Sequence, residues 1–167
     1  ADPRVEVINA DAFTWLQETT RQFDVIVCDF PDPRSEPLSK LYSTAMYHLL
    51  TRRLSPGGVG VTQATSPFFA REAFWTVEHT AREAGLHTQA MHTYVPSFGE
   101  WGFVLMATRE LHLDSARLLP DLRYLDHAQL EVLGRFPPDI ARVPTKASTL
   151  DEPHVIEAYK RGWKSWF

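Results

Sequence analysis

The chain has 167 residues, of which 44% are hydrophobic and 23% charged, so it is suited to one folded domain with a packed core rather than to general disorder. The formal net charge of −4 and the absence of a basic run argue against a dedicated nucleic-acid binder. The single cysteine, Cys28, excludes a disulfide framework and a thiolate zinc site, and no apolar stretch approaches the roughly 20 residues that cross a bilayer.

The first residues are strand-like. Val5 to Asn9 are rich in β-branched side chains and predict a short strand, after which Asp11 occupies the N-cap position of a helix that begins at Ala12. Neither a starting Met nor a charged and then apolar signal segment precedes this strand. We therefore expect the 167 residues to be a piece of a longer chain, cut just before a strand.

A strand, a long helix and another strand are predicted next. Phe23 to Asp29 is an almost continuous apolar run, typical of a strand that is buried on both faces of a parallel sheet. Leu38 to Leu54 carries apolar residues at helical spacing. The residues Ser55 to Gly58 end that helix and lead into a strand over Val59 to Ala64.

The second half of the sequence predicts one more helix and a hairpin. The helix covers Phe69 to Ala84, and the two strands of the hairpin cover His87 to Val95 and Trp101 to Ala107. Beyond Thr108 the pattern weakens. Two further helices are predicted there, over Asp126 to Leu133 and Glu152 to Lys160.

Strands that alternate with helices predict an α/β fold class. The order of the elements is that of the later part of a Rossmann-like, doubly wound sheet with a terminal antiparallel hairpin. We expect a single domain in which residues 1–108 form the sheet and its helices and residues 109–167 form a helical extension.

Polar residues follow three of the predicted strands, at the edge where sheets of this kind bind ligands. They are Asp11, the pair Asp29 and Asp32, and Gln63. Asp29 and Asp32 lie on a loop stiffened by two prolines, where like charges raise the pKa of one carboxyl and together attract a cation such as a protonated amine. An ordinary loop, with Asp29 capping the next turn, explains the same residues equally well.

Two of these residues have a structural alternative of their own. Asp11 is well placed to cap a helix, and it could also accept a hydrogen bond from the exocyclic amine of a ligand such as an adenine. Both roles are compatible, since one carboxylate oxygen can cap while the other faces a ligand. Gln63 offers a neutral donor and acceptor at a strand end, which by itself is more typical of a structural role.

The loop of the predicted hairpin, Pro96 to Gly102, sets two aromatic residues and an acid between glycines. Phe98 and Trp101 could wall a slot for an aliphatic chain, with Glu100 available to a distal ammonium, although a well-packed turn is as good an explanation. Tyr42, on the helix after the acidic loop, could contact an amine or pack in the core. We expect no metal site, because the histidines show no ligand spacing.

Several of these segments resemble one family, the polyamine aminopropyltransferases, of which spermidine synthase is the type. FDVIVCDFPDP resembles that family's strand and Asp-x-x-Asp-Pro loop. LSPGGVGVTQATSP is similar to its Pro-Gly-Gly turn and Gln-bearing strand, and VPSFGEWGFVLMA is similar to its terminal hairpin. The sequence most resembles the bacterial branch whose catalytic domain follows a membrane domain with several spans.

The resemblance implies an S-adenosylmethionine-type Rossmann domain that moves an aminopropyl group from decarboxylated S-adenosylmethionine to putrescine or a similar amine. The products would be spermidine and methylthioadenosine, and the donor would be a co-substrate rather than a permanently bound cofactor. By motif, Asp29 would orient and help deprotonate the amine, and Asp32 and Gln63 would hold it. Asp11, with Ala12 beside it, would bind the adenine. The resemblance also implies a homodimer on the cytoplasmic face of the cell membrane, attached through an upstream domain.

The family's Gly-rich loop would lie upstream, and no G-x-G-x-x-G occurs in these residues. We therefore expect the 167 residues by themselves to be inactive and to bind nucleoside weakly. Two alternatives stay open at this point. One is an S-adenosylmethionine-dependent methyltransferase, and the other is a non-catalytic ligand-binding or dimerisation domain of the same fold.

Overall fold

The sheet is mixed, with one parallel pair and an antiparallel hairpin. The computed structural model describes residues 2–113 and 116–166. Within them, one sheet is formed by β1 (Phe23–Cys28), β2 (Leu54–Gln63), β3 (His87–Val95) and β4 (Gly99–Ala107). Its order is β1-β2-β4-β3, with β1 parallel to β2 and with β4 antiparallel to both β2 and β3. The predicted α/β class with a terminal hairpin is confirmed.

Helices cover one face of this sheet and continue into the C-terminal segment. They are α1 (Ala12–Glu18), α2 (Glu36–Ser39), α3 (Thr44–Arg53), α4 (Arg71–Glu83), α5 (His127–Leu133) and α6 (His154–Lys164), with a 3₁₀ turn over Lys40–Tyr42. In none of the described helices is there a stretch both long and apolar enough to cross a membrane.

The single helix predicted over Leu38 to Leu54 is wrong, because the chain breaks at Ser43. Ser43 adopts an extended conformation (φ −91°, ψ 159°), and its hydroxyl accepts a hydrogen bond from the backbone N–H of Met46 at 3.3 Å. A short polar side chain that bonds to nearby backbone in this way favours a helix start over a helix interior. The break separates the 3₁₀ turn from α3.

The strand predicted over Val5 to Asn9 is also wrong. In the described part of the chain no strand pairs with this segment, and Val5 and Val7 are 64% and 88% exposed. An extended segment without a neighbour has no partner for its backbone hydrogen bonds, and it buries no side chain.

Strand β1 is buried on one face rather than on both. Val25 and Val27 are 64% and 68% exposed, whereas Cys28 at the end of the strand is 4% exposed. Val25 and Val27 share one face of β1, and within the described residues that face is left uncovered. β1 also lies at the end of the described sheet order, where β2 is its strand neighbour. The sequence pattern of a central strand therefore occurs on a strand that lies at an edge here.

The core lies between the sheet and α4. Phe74 and Val77 of α4 are fully buried against Val104 and Met106 of β4. Gly102 of β4 allows this packing, because a Cβ atom there would lie 2.3 Å from the ring of Phe74.

Helix α6 packs against α4 in turn, so the C-terminal segment adds to the same structure. Val155 and Ile156 of α6 are buried. At Gly162 a Cβ atom would lie 2.6 Å from the Cα atom of Ala70, just before α4. This close approach places α6 beside the residues that follow β2.

Candidate active site

Two loops meet where the parallel strands β1 and β2 end. Cys28 pairs with Thr62 in the ladder, so the acidic loop that follows β1 and the residues that follow β2 leave the sheet at the same edge. The side-chain nitrogen of Gln63 contacts the backbone oxygen of Phe30 and lies 3.5 Å from Oδ1 of Asp32. The prediction that these segments converge is confirmed for Asp32 and Gln63.

Asp32 is the half-buried carboxylate of this loop. Its Oδ2 accepts a hydrogen bond from the Tyr159 hydroxyl at 3.1 Å, while Gln63 approaches its Oδ1. Burial raises the pKa of Asp32, and the hydrogen bonds from Tyr159 and Gln63 oppose this rise. The sequence predicts that repulsion between Asp29 and Asp32 raises the pKa of one of them. In the structure the largest cause of the raised pKa of Asp32 is its burial.

Asp29 has a different environment, although it lies on the same loop. It is exposed at the end of β1, and no hydrogen bond or ion pair to it is found within residues 2–113 and 116–166. It lies on the rim of a cavity of about 330 Å³. A carboxylate that is open to solvent and to a cavity is free to take a proton from a ligand and pass it to water.

The lining of the cavity suits an aliphatic chain. Its lining is mostly apolar, and Asp29 and Gln63 are its main polar members. The apolar part is formed by Val27, Val61, Val95, Phe98, Trp101 and Phe103. Larger cavities, of about 620, 570, 430 and 340 Å³, lie elsewhere on the described residues, and none of these is lined by the acidic loop.

The hairpin loop contributes its aromatic residues to the cavity but not its acid. The rings of Phe98 and Trp101 lie 5.1 Å apart at the cavity, as predicted. Glu100, between them, contacts Nδ1 of His92, and the other ring nitrogen of His92 contacts the backbone oxygen of Arg135. Successive residues of a strand point to opposite faces, so Glu100 faces away from Trp101 and the cavity. The expectation that Glu100 faces an ammonium in the slot is wrong.

Tyr42 supports the acidic loop from beneath. It is fully buried, and its hydroxyl lies 3.2 Å from the backbone oxygen of Phe30 and 3.1 Å from that of Pro31. Gln63 contacts the same hydroxyl. Of the two expectations for Tyr42, the structure shows the packed position, in which it holds the loop instead of projecting into the cavity.

Asp11 caps α1 as expected. One carboxylate oxygen accepts a hydrogen bond from the backbone N–H of Thr14 at 3.0 Å, and the other lies 2.8 Å from the Lys40 ammonium. The Lys40 contact is the main reason why the pKa of Asp11 falls to about 2. Ala12 is the first residue of α1. The adenine-binding role of both residues stays a prediction.

Sequence reasoning missed two residues of this site, Thr65 and Tyr159. Thr65 has a φ of 61°, which a β-branched residue rarely adopts and which costs about 1–3 kcal/mol. Its backbone N–H donates to the side-chain oxygen of Gln63 at 2.9 Å, and so directs the side-chain nitrogen of Gln63 towards the acidic loop. Its backbone oxygen accepts from the N–H of Gly102 at 2.8 Å. No sequence pattern marks such a conformation at a threonine.

Tyr159 reaches the site from α6, far along the chain from Asp32. Its spacing from Val155 and Trp163 predicts only that these three side chains share one helix face. The helical pattern was therefore visible in the sequence, whereas the contact with the acidic loop was not.

The sequence matches a known family over most of its length. The model of the spermine/spermidine synthase domain matches residues 1–115. A polyamine aminopropyltransferase from Leptospira interrogans is 44% identical over 160 residues, which are 96% of this chain and 32% of that protein. Polyamine aminopropyltransferase 1 from Streptomyces coelicolor is 46% identical over 167 residues, 99% of this chain and 32% of that protein. The chain thus spans about a third of the length of these relatives.

Solved structures show the same fold at low sequence identity. The spermidine synthase from Thermotoga maritima superposes with a TM-score of 0.68 at 19% identity, over 81% of this chain and 48% of that one. A spermidine synthase in complex with the transition-state analogue AdoDATO gives a TM-score of 0.69 at 20% identity, over 81% of this chain and 49% of that one. The sheet and its helices therefore have the methyltransferase-like Rossmann fold of these enzymes.

Proposed function

The chain belongs to the spermine/spermidine synthase family, and from this membership we propose that the protein transfers an aminopropyl group from decarboxylated S-adenosylmethionine to putrescine or a similar diamine. The observation that carries the proposal is an exposed carboxylate, Asp29, that lines an apolar cavity together with Gln63, while the half-buried Asp32 of the same loop lies 3.5 Å from the side-chain nitrogen of Gln63. A diamine would use both the carboxylates and the apolar lining, because it has an ammonium group at each end and an apolar chain between them.

The cavity accounts for the choice of an amine acceptor. Val27, Val61 and Phe103 offer apolar contact to a methylene chain, and Asp29 offers a carboxylate to an ammonium at its end. Asp32 adds a second negative charge on the same loop, within reach of Gln63. Both carboxylates favour a cationic acceptor over an anionic one.

The reaction needs a base and no acid. The neutral amine nitrogen attacks the methylene carbon that is attached to the sulfonium, so that a C–N bond forms and the C–S bond breaks. The electron pair of that bond goes to sulfur, which leaves as the neutral thioether of methylthioadenosine. Asp29 takes the proton that the amine gives up and releases it to solvent, which its exposure permits.

The nucleoside half of the donor is assigned to the start of α1. Thr14 bonds twice to Oδ1 of Asp11 and Lys40 bonds once to Oδ2, so Oδ2 keeps a lone pair for the exocyclic amine of an adenine. Ala12 follows it with a small side chain that leaves room for the ring. From the same resemblance we propose a homodimer held at the inner face of the cell membrane by a part of the protein outside these residues.

Product analysis by mass spectrometry tests this function. The protein in its natural length is incubated with putrescine and with either decarboxylated or ordinary S-adenosylmethionine. Spermidine and methylthioadenosine support the proposal. A methylated putrescine together with S-adenosylhomocysteine would show a methyltransferase instead. If neither donor is consumed, the domain is a ligand-binding or assembly module, and the proposal fails.

A further inference from the structure

We propose that Tyr159 of α6 is a positioning residue for the Asp32 carboxylate, so that the C-terminal helix sets the affinity of the site for the amine. This inference rests on the proposed function of the acidic loop. Tyr159 lies outside the residues 1–115 that the family model matches, so membership of the family does not assign it a role.

The Tyr159 hydroxyl completes a set of donors around one carboxylate. It donates to Oδ2 of Asp32 at 3.1 Å, while the side-chain nitrogen of Gln63 lies 3.5 Å from Oδ1. With a donor near each oxygen, these two contacts restrict the rotation of the carboxylate. Among the described residues, Tyr159 is the one side chain of α6 that contacts the acidic loop by a hydrogen bond.

Helix α6 holds this hydroxyl in place through contacts on both sides of Tyr159. Ala158 is buried in a small cluster with Ala70 and Ala73, and the rings of Tyr159 and Trp163 lie 5.9 Å apart. On the exposed side, Arg161 makes two hydrogen bonds with Glu72 of α4, at 2.8 and 3.3 Å. A helix fixed at several points presents its hydroxyl with little freedom, as a preorganised site requires.

The protonation states suit this arrangement. Burial and the neighbouring Asp32 raise the pKa of Tyr159, so its hydroxyl stays protonated and remains a donor. The titratable or charged groups that face Asp32 are Arg34 on the same loop, Tyr42 on the 3₁₀ turn and Tyr159 on α6. Of these, Tyr159 makes the direct hydrogen bond, which lowers the pKa of Asp32 against the effect of burial. Loss of the hydroxyl should therefore leave Asp32 protonated to a higher pH.

The test compares two variants of the natural-length protein that each lose one hydroxyl. Tyr159→Phe removes the bond to Asp32, and Tyr124→Phe removes a bond of 2.7 Å to Thr93, which pairs with Trp101 in the sheet and does not touch the acidic loop. For Tyr159→Phe we expect the KM for putrescine to rise about tenfold, the size of the loss when one hydrogen bond to a charged group is removed. The KM for the nucleoside donor should stay the same, and the acid limb of kcat/KM for putrescine should move to higher pH. Tyr124→Phe should change none of these values.

A double-mutant cycle separates positioning from a general effect on folding. If Tyr159 acts through Asp32, Tyr159→Phe should cause no further loss of putrescine affinity in an Asp32→Asn background. Equal losses in both backgrounds would overturn the proposal. So would an unchanged KM and pH profile, or a loss of activity explained entirely by a loss of folded protein in thermal unfolding.

Calorimetric titration with putrescine keeps this inference distinct from the proposed function. If the natural-length protein forms no spermidine, the proposed reaction fails, but weaker binding of putrescine to Tyr159→Phe than to wild type still supports the role of Tyr159. Equal binding to both proteins, or no binding to wild type, overturns it.

Discussion

The hydroxyl of Tyr42 lies 3.1 Å from the backbone oxygen of Pro31, so the 3₁₀ turn supports the acidic loop from within the core. Tyr42 is fully buried, and the same hydroxyl contacts Gln63. Tyr42 thus bonds to the backbone of the loop that carries Asp29 and Asp32, and Tyr159 bonds to the side chain of Asp32.

The first prediction concerns this support. Tyr42→Phe removes the hydroxyl that lies within hydrogen-bond distance of two loop carbonyls and of the Gln63 amide. We expect a loss of about 1–2 kcal/mol in the free energy of unfolding, which is typical when a buried hydrogen-bonding group is removed. Urea denaturation measures this loss. Tyr94→Phe is the matched control, since Tyr94 is 68% exposed, and it should change stability little. Equal stability of Tyr42→Phe and wild type would contradict the supporting role.

The second prediction is that Asp32 lowers the free energy of unfolding at neutral pH. Burial raises its pKa in the folded state, so the folded protein binds more protons than the unfolded one, and stability falls as the pH rises through this range. Asp32→Asn removes the buried charge. We therefore expect Asp32→Asn to be more stable than wild type at pH 7 and to lose this advantage near pH 3, where the unfolded carboxyl is also protonated.

Denaturation of both proteins across this pH range measures the difference. Asp24→Asn, at an exposed position on β1, is the control for the change of side chain. An Asp32→Asn variant that is less stable than wild type at pH 7 would show that the hydrogen bonds outweigh burial. A residue that lowers stability where it is needed for binding is expected at a functional site.

Asp11 should show the opposite dependence on pH. Its pKa falls to about 2 in the folded state, so it contributes stability above its unfolded pKa of about 3.9, and this contribution is lost as the pH falls towards 2. Asp11→Asn keeps a helix cap but loses the charge that faces Lys40. Wild type should be more stable than Asp11→Asn at neutral pH, and most of the difference should be lost as the pH falls from 4 to 2. A difference at pH 2 as large as the one at neutral pH would contradict this account. High salt should reduce it, since the pair is exposed.

The sequence predicted where the helices and strands lie better than it predicted which neighbours they pair with and which faces they bury. The hairpin, α4 and the convergence of Asp32 with Gln63 follow from patterns within short segments, because periodicity and strand direction determine them. The errors at Val5 to Asn9 and on β1 have another cause. A strand needs neighbours, and a local pattern does not show whether they are present.

Two site residues were misjudged for reasons of geometry. The face on which Glu100 lies depends on the register of β4, and a shift of one residue reverses it. Tyr159 contacts Asp32 across most of the chain, and no spacing rule connects α6 with the acidic loop. Long-range contacts of this kind are visible only once the helices have packed.

A fourth prediction concerns the attachment of the C-terminal segment to α4. Glu78 is 2% exposed in its side chain, and it accepts hydrogen bonds from Arg142 at 2.5 Å and from Thr88 at 2.6 Å. Burial alone would raise the pKa of Glu78, but these two partners together lower it. Arg142→Met leaves the buried carboxylate with one of its two donors.

We expect Arg142→Met to lose about 2 kcal/mol in the free energy of unfolding, less than for a fully buried pair because Arg142 is half exposed. The double variant Glu78→Gln with Arg142→Met should recover part of the loss. Arg161→Met, which breaks an exposed pair with Glu72, should cost about 0.5 kcal/mol. Denaturant unfolding measures all three variants, and equal losses for Arg142→Met and Arg161→Met would contradict the role of burial.

The rate of spermidine formation by Asp29→Asn tests the central claim most directly. Asparagine keeps the size of Asp29 but takes no proton, so we expect the rate to fall about 10²–10⁴-fold, the usual contribution of a general base. Asp24→Asn, with the same change five residues earlier on β1, should retain the wild-type rate. If Asp29→Asn forms spermidine as fast as Asp24→Asn, the assignment of Asp29 as the base is wrong.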